Sequence, residues 1–348
     1  MTWTVQEGAG EPVEFHMPAW GWPIILVQAI ILIPISLLVQ YTLLYIYPVF
    51  TIIEDENPPA YEPLPSNGDD EEATAGGPKP TDGAPRTVTS SLRSINRLLT
   101  SYGGFRANFR GFMCLLAQNV LSGIVASFFS WFPARPFAQL LASLVMVQYA
   151  TAWVHIVISH PSPRRFWRRL PPFKRAFNAT WKPVVLYWVA TQVHQWVPIG
   201  LCYLIGFDAP SFMKWGSGNV PTDFNEHKIS YMIKAGVYFL LSTMLWVVVI
   251  IPARVVLVRI QASLLPEDED PIIPFDRSFD GKVEPAVVGG LGYATIANAW
   301  STFSKAAWRR VVILYAKIFG VVTATMILSW AIIIPTALLL LSFGSKST

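Results

Sequence analysis

The sequence predicts an all-α, polytopic membrane protein with six transmembrane helices. Three observations carry that prediction. The 348-residue chain is 53% hydrophobic and only 14% charged, with a mean hydropathy of +0.42, whereas a soluble domain carries about a quarter charged residues. The charges are clumped, and long uncharged runs separate the clumps, as bilayer-spanning helices require. Lys and Arg alternate from one interval to the next. Taken along the chain, the segments outside the apolar runs hold 0, 6, 1, 7, 2, 7 and 1 of them.

The spans are expected at roughly 23–48, 111–133, 136–159, 183–206, 229–252 and 311–342. Each supplies about 20 or more mostly apolar residues, enough to cross ~30 Å of hydrocarbon. Trp20 and Trp22 precede the first, Trp131 closes the second, and Trp181 and Trp308 precede the fourth and sixth, as interfacial aromatics do. The first run is too long for a signal-peptide core and reads as a helix that stays. The alternation of Lys and Arg places the even-numbered segments on the positive side and both termini opposite. The organelle stays open between mitochondrial and secretory, vacuolar or plasma membrane. Asn178-Ala-Thr180 fits a glycosylation sequon, but it lies in a basic loop that should never face a secretory lumen.

Between the spans the organisation follows composition. Residues 1–53 form an N-terminal segment with the first span. Residues 54–90 read as a disordered acidic linker rich in Pro and Gly, with too few apolar residues to fold. Residues 91–342 form the bundle of five further spans, and 343–348 a tail. At the start of the bundle, Leu92, Ile95, Leu99 and Tyr102 recur at helical spacing with Arg93 and Arg97 opposite. Ser90 or Ser91 can cap that helix and Gly103-Gly104 can stop it. It is expected to lie along the membrane surface. The loop "PEDEDPIIPFDRSFDGKVEP" is expected to be solvated, or to clamp onto basic residues of a neighbouring unit.

Weak internal repetition is visible. "NFRGFMCLL", "TWKPVVLYW" and "AWRRVVILY" each set an aromatic and a basic residue ahead of an apolar run, and "WVHIVISHPSP" and "LVRIQASLLPED" share a Val-basic-Ile pattern with Ser and Pro. The pattern would mean three two-helix repeats. Pro252-Ala-Arg254-Val-Val-Leu-Val-Arg259-Ile-Gln261 and Gly104-Phe105-Arg106-Ala-Asn-Phe109-Arg110-Gly111 resemble two signature stretches of mitochondrial carriers. That resemblance implies a six-helix plan with both termini on one side, surface helices after the odd spans, and passage of a small polar or anionic metabolite. The chain departs from the family where it matters for gating. Arg254 stands where a carboxylate is expected, Leu257 where a base is expected, and no span contains Asp or Glu. "TAWVHIVISHPSP" and "RIQASLLPEDEDPIIPFDRSF" are also similar to stretches of fungal multi-pass membrane proteins of unknown role, some of which carry ubiquitin-related labels.

Intramembrane polar residues cost free energy and so call for a reason. Gln148, Thr151 and His155 share one helix face in the third span, Thr191 and His194 another in the fourth, and Gln118 lies in the second. Lys234 and Lys317 add two positive charges. Turned inward, these residues would line a polar lumen suited to an anionic solute. Paired with each other or with backbone, they would instead bind helix to helix. Glu56-Asn-Pro58-Pro59-Ala-Tyr61 is a PPxY motif in the linker. Such a segment adopts polyproline II, and a WW domain grips its prolines and tyrosine, which suggests a membrane scaffold or ubiquitin-ligase adaptor as the alternative function.

Other classes find no support in the sequence. The net charge of +4 gives no reason to expect nucleic acid. Cys114 and Cys202 lie in apolar runs without metal-ligand spacing. The five histidines form no metal box, and no catalytic or cofactor motif is present. The expectation is a non-enzymatic protein with no cofactor, its partners being the bilayer and either a solute or a WW-domain protein.

Overall fold

The computed structural model describes residues 2–5, 13–16, 18, 20–55, 87–129, 135–207, 224–343 and 345–346. It is helical apart from three short strands near the termini. Helix α1 (Gly21–Leu38) runs through a π-helical segment, Val39–Ile46, into α2 (Tyr47–Ile53). Then follow α3 (Leu92–Gly103), α4 (Phe112–Phe128), α5 (Arg135–Val145), α6 (Val147–Ile158) and α7 (Phe173–Leu204). Helix α8 (Phe224–Leu245) continues through a second π segment, Trp246–Ile250, into α9 (Ile251–Ser263). The short α10 (Ile296–Ser301) and the long α11 (Lys305–Phe343) complete the order. Strand β1 (Thr2–Val5) pairs antiparallel with β2 (Val13–His16), and β2 with β3 (Ser345–Lys346), with Phe15 opposite Lys346. The two ends of the chain therefore meet.

Four helical stretches are long and apolar enough to cross a membrane: Gly21–Ile53, Leu92–Phe128, Ile229–Ser263 and Lys305–Leu340. A fifth is the pair α5 and α6, bent by 61° at Met146. These helices are compatible with a membrane-embedded protein. The fourth expected span falls in α7. That helix has the length, but Gln192, His194 and Gln195 make it too polar to count with the others. The repeat starts are not equivalent either. Gly111 begins a helix in the left-handed conformation, with φ +71°, whereas Lys182 and Arg309 sit inside α7 and α11.

Both π segments have the same local cause. Pro48 and Pro252 follow them within one or two residues. A proline cannot donate to the carbonyl four residues back, and its ring crowds that carbonyl. Widening the turn upstream relieves the crowding. The orphan created by Pro48 is the carbonyl of Leu44, and Arg254 Nη2 donates to it at 3.1 Å. Two proline-broken helices are thereby braced against each other.

Helix α3 forms as its residues predict. Ser91 and Ser94 make a reciprocal capping box, and Gly104 ends the helix at φ +59°. Ile95 and Leu99 are fully buried beside Phe50, Ile53 and Val311. The main core lies at this end of the bundle. Toward the other end α1 and α11 expose Ile30, Ile33, Ile327 and Leu328, surfaces suited to lipid. The same two helices are held together there by Gln28 Nε2 donating to Thr336 Oγ1 at 2.6 Å and by Trp20 edge-on to Phe343.

The acidic loop after α9 is folded, not merely solvated. Ile272, Ile273, Phe275 and Phe279 are buried in the main core. His160 N donates to Asp270 O, and Ile272 N to Ile158 O at 2.8 Å. The loop therefore adds short strand-like pairing to the end of α6, which corrects the expectation of a solvated loop.

Candidate functional site

A polar layer crosses the bundle where α2, α6 and α9 end. Its first part is built on Glu54, the residue that terminates α2. The Glu54 carboxylate is buried and accepts from the backbone N–H and hydroxyl of Thr89 and from the N–H of Val88. Arg310 of α11 lies alongside, with Nη1 3.8 Å from the carboxylate and Nη2 donating to the Glu54 carbonyl at 3.4 Å. A carboxylate removed from water needs such partners. The result joins the residue just past the first span to Val88 and Thr89, near the far end of the 54–90 segment, so both edges of that segment are ordered rather than disordered as expected. Sequence reasoning missed it because Glu54 falls just beyond the span, six residues after Pro48. A single acid directly after an apolar run, with a Thr-Val-Thr stretch and a distant Arg to receive it, was the available signal.

The second part joins α6 to α9. His155 is buried, with Nε2 2.9 Å from the Gln261 carbonyl. A carbonyl can only accept, so Nε2 carries the proton. Ser159 Oγ donates to the His155 carbonyl at 2.7 Å and receives Arg169 Nη2 at 2.6 Å. Arg169 forks onto Glu269 through Nε at 3.1 Å and Nη2 at 2.5 Å, a geometry that only a guanidinium supplies. Arg110, at the start of α4, donates through Nη2 to the carbonyls of Ser159 and Ile156.

Arg259 forms the third part. It is 4% exposed, lies over the rings of Phe279 and Phe303 at 5.0 and 5.4 Å, and donates to Thr302 Oγ1 at 2.8 Å. The loop that supplies Phe279 is tightly wound, with Phe279, Asp280 and Gly281 all at positive φ. Asp276 holds the turn by accepting from Ser278 N, Ser278 Oγ and Asp280 N at 2.7–2.8 Å. Burial raises the Asp276 carboxyl, but these bonds and nearby Arg259 outweigh it and hold the group below the usual carboxylate range.

The polar residues expected to line a lumen are mostly occupied by local partners. Gln148 Nε2 donates to the Pro171 carbonyl at 2.7 Å, and Thr151 and Thr191 hydroxyls donate to Val147 and Trp188 carbonyls in their own helices. Lys234 reaches the Gly206 carbonyl at 3.0 Å and Lys317 the Ser90 carbonyl at 3.5 Å. Gln118 is half-buried on α4. Only His194 among them borders the cavity of about 510 Å³ between α7, α8 and α11, whose wall is otherwise largely apolar, with Phe239, Trp246 and Tyr315 among its members. Of the signature-like residues, Pro252 shapes the π segment, Arg254 braces Leu44, Arg259 sits between its rings, and Gln261 offers its carbonyl to His155. Pro58, Pro59 and Tyr61 lie outside the described residues.

No family model matches the chain, and neither a curated protein nor a solved structure matches it significantly.

Proposed function

We propose that the protein is a multi-pass membrane scaffold that presents its PPxY loop on the positively charged side of the bilayer. The Glu54 clamp carries this reading. It fixes Glu54 to Val88 and Thr89, against α11. The 56–86 segment is therefore tethered at both ends to a packed layer, with Pro58, Pro59 and Tyr61 a few residues from one anchor. That arrangement suits display of a short linear motif to a WW domain.

The connectivity supports six crossings. Arg110 at the start of α4 touches Ile156 and Ser159 at the end of α6, so α4 and the bent pair run out and back as one hairpin. The end of α9 meets the end of α6 through Gln261 and His155. If α8–α9 crosses, α8 begins on the far side, where Lys234 meets Gly206 beyond the end of α7. Helix α7 must then cross to reach it, and at about 1.5 Å per residue its 32 residues suffice. The β2–β3 pairing brings both termini together, as an even number of crossings requires.

Carrier-like passage of a polar or anionic solute is the competing reading, and the His194 cavity is the one feature that favours it. The decisive experiment uses the full chain in lipid nanodiscs. Binding of a labelled WW domain, lost on Tyr61→Ala and retained on His194→Ala, is the expected result. No WW binding, together with solute uptake by proteoliposomes that His194→Ala abolishes, would replace the scaffold reading with the carrier one.

A further inference from the structure

A second cavity lies outside the clamp and apart from the His194 cavity. It has a volume of about 380 Å³ and opens between the α3–α4 junction and the loop that follows α6. Four guanidinium side chains line it: Arg106 and Arg110 from the junction, Arg164 and Arg169 from the loop. Their compensation is uneven. Arg169 is neutralised by Glu269, and Arg164 has only an exposed pairing with Asp268 at 3.8 Å. Neither Arg106 nor Arg110 is paired with a carboxylate among the described residues. Arg110 Nη1 is buried without a hydrogen-bond partner. A buried guanidinium donor left unmet is costly, and one such donor flanked by the exposed guanidiniums of Arg106 and Arg164 in one concavity suits a group rich in anionic oxygens.

The rest of the cavity says what carries that group. Phe109, Phe112 and Met113 also line it. Met113 is exposed, and Leu116, Val120 and Ile124 are exposed after it at spacings of three, four and four residues. Such spacing keeps all four on one face of α4. The stripe starts at the cavity and follows a span whose apolar surface faces lipid. Head and tail requirements thus meet at one place, on the side where the Lys- and Arg-rich segments lie.

We propose that this cavity binds a membrane phospholipid with an accessible phosphate. The phosphate lies among Arg106, Arg110 and Arg164, and an acyl chain lies along the Met113–Ile124 stripe. Free phosphate shares the head chemistry but has nothing to place on the stripe. The site is independent of the PPxY reading and stands or falls without it.

The test is native mass spectrometry of the detergent-purified full chain, titrated with phosphatidic acid and, separately, with phosphatidylcholine. Retention of phosphatidic acid over phosphatidylcholine is expected, and 10 mM inorganic phosphate should not displace it. R106Q/R164Q should weaken phosphatidic acid by roughly tenfold, and both replaced side chains are exposed, so the fold should survive. R168Q/K174Q removes two exposed charges outside the cavity, one from the same loop and one from the first turn of α7, and should change little. Equal loss in both double variants would reduce the effect to general surface charge and overturn the proposal. So would equal retention of the two lipids. Displacement by inorganic phosphate would overturn the lipid assignment and make the site one for a free phosphate group.

Discussion

At the residue scale, Glu54 connects more of the molecule than any other side chain in the polar layer. One carboxylate receives donors from Val88 and Thr89 and stands beside Arg310. Glu54→Ala would leave those donors and the half-buried Arg310 without it. Removing one partner of a buried pair costs about 3–5 kcal/mol, so the melting temperature in detergent should drop by roughly 5 °C or more. Arg310→Ala combined with Glu54→Ala should lose less than the two single losses together, because each single change already removes the contact between them. An unchanged melting temperature in Glu54→Ala would show that the clamp contributes nothing. Glu54 was invisible to a search for acids inside spans, since it ends a helix rather than interrupting one. His155 shows the converse limit. Its position on an apolar face was legible, but the Gln261 carbonyl that occupies it lies 106 residues away. Only the packing of α6 on α9 reveals that partner.

At the element scale, periodicity and turn chemistry were legible and breaks were not. The capping box at Ser91 and the glycine stop of α3 followed from local residues, because capping is decided within one turn. The bend at Met146 had no such signal, for neither Pro nor Gly stands there. The loop after α9 was ambiguous by composition. Its charges spoke for water, and its Ile272, Ile273, Phe275 and Phe279 for the core. The π segments yield a test of how elements are braced. Pro48 denies the Leu44 carbonyl its usual donor, and Arg254 supplies one. In the parent chain Arg254→Ala should cost about 2 kcal/mol, as loss of a charged hydrogen bond does. With Pro48→Ala in place, the backbone N–H returns and the same substitution should cost measurably less. Thermal unfolding of the four variants gives the coupling. Equal costs in both backgrounds would mean that Arg254 acts through some other contact.

At the scale of the whole molecule, hydropathy gives four or five spans, and the proposed sixth crossing rests on how the ends of helices meet. Helix α7 carries Gln192, His194 and Gln195 and falls short of the apolarity of its neighbours. Yet both of its ends are tied to neighbouring helices. Gln148 of α6 binds the Pro171 carbonyl just before it, and Lys234 of α8 binds Gly206 just after it. On the proposed reading α7 crosses with its neighbours, carrying Gln192 and His194 half-buried and Gln195 exposed. Membrane-impermeant thiol labelling of oriented vesicles tests this arrangement. Leu204→Cys, at the exposed end of α7, should label from the side that exposes a tag at the amino terminus. His160→Cys, exposed just after α6, should label only from the other side. Native Cys114 and Cys202 are both buried and should stay silent. Labelling of both positions from one side would remove α7 from the count of crossings. Five crossings would then remain, an odd number that sets the termini on opposite sides and cannot be reconciled with the pairing of β2 on β3.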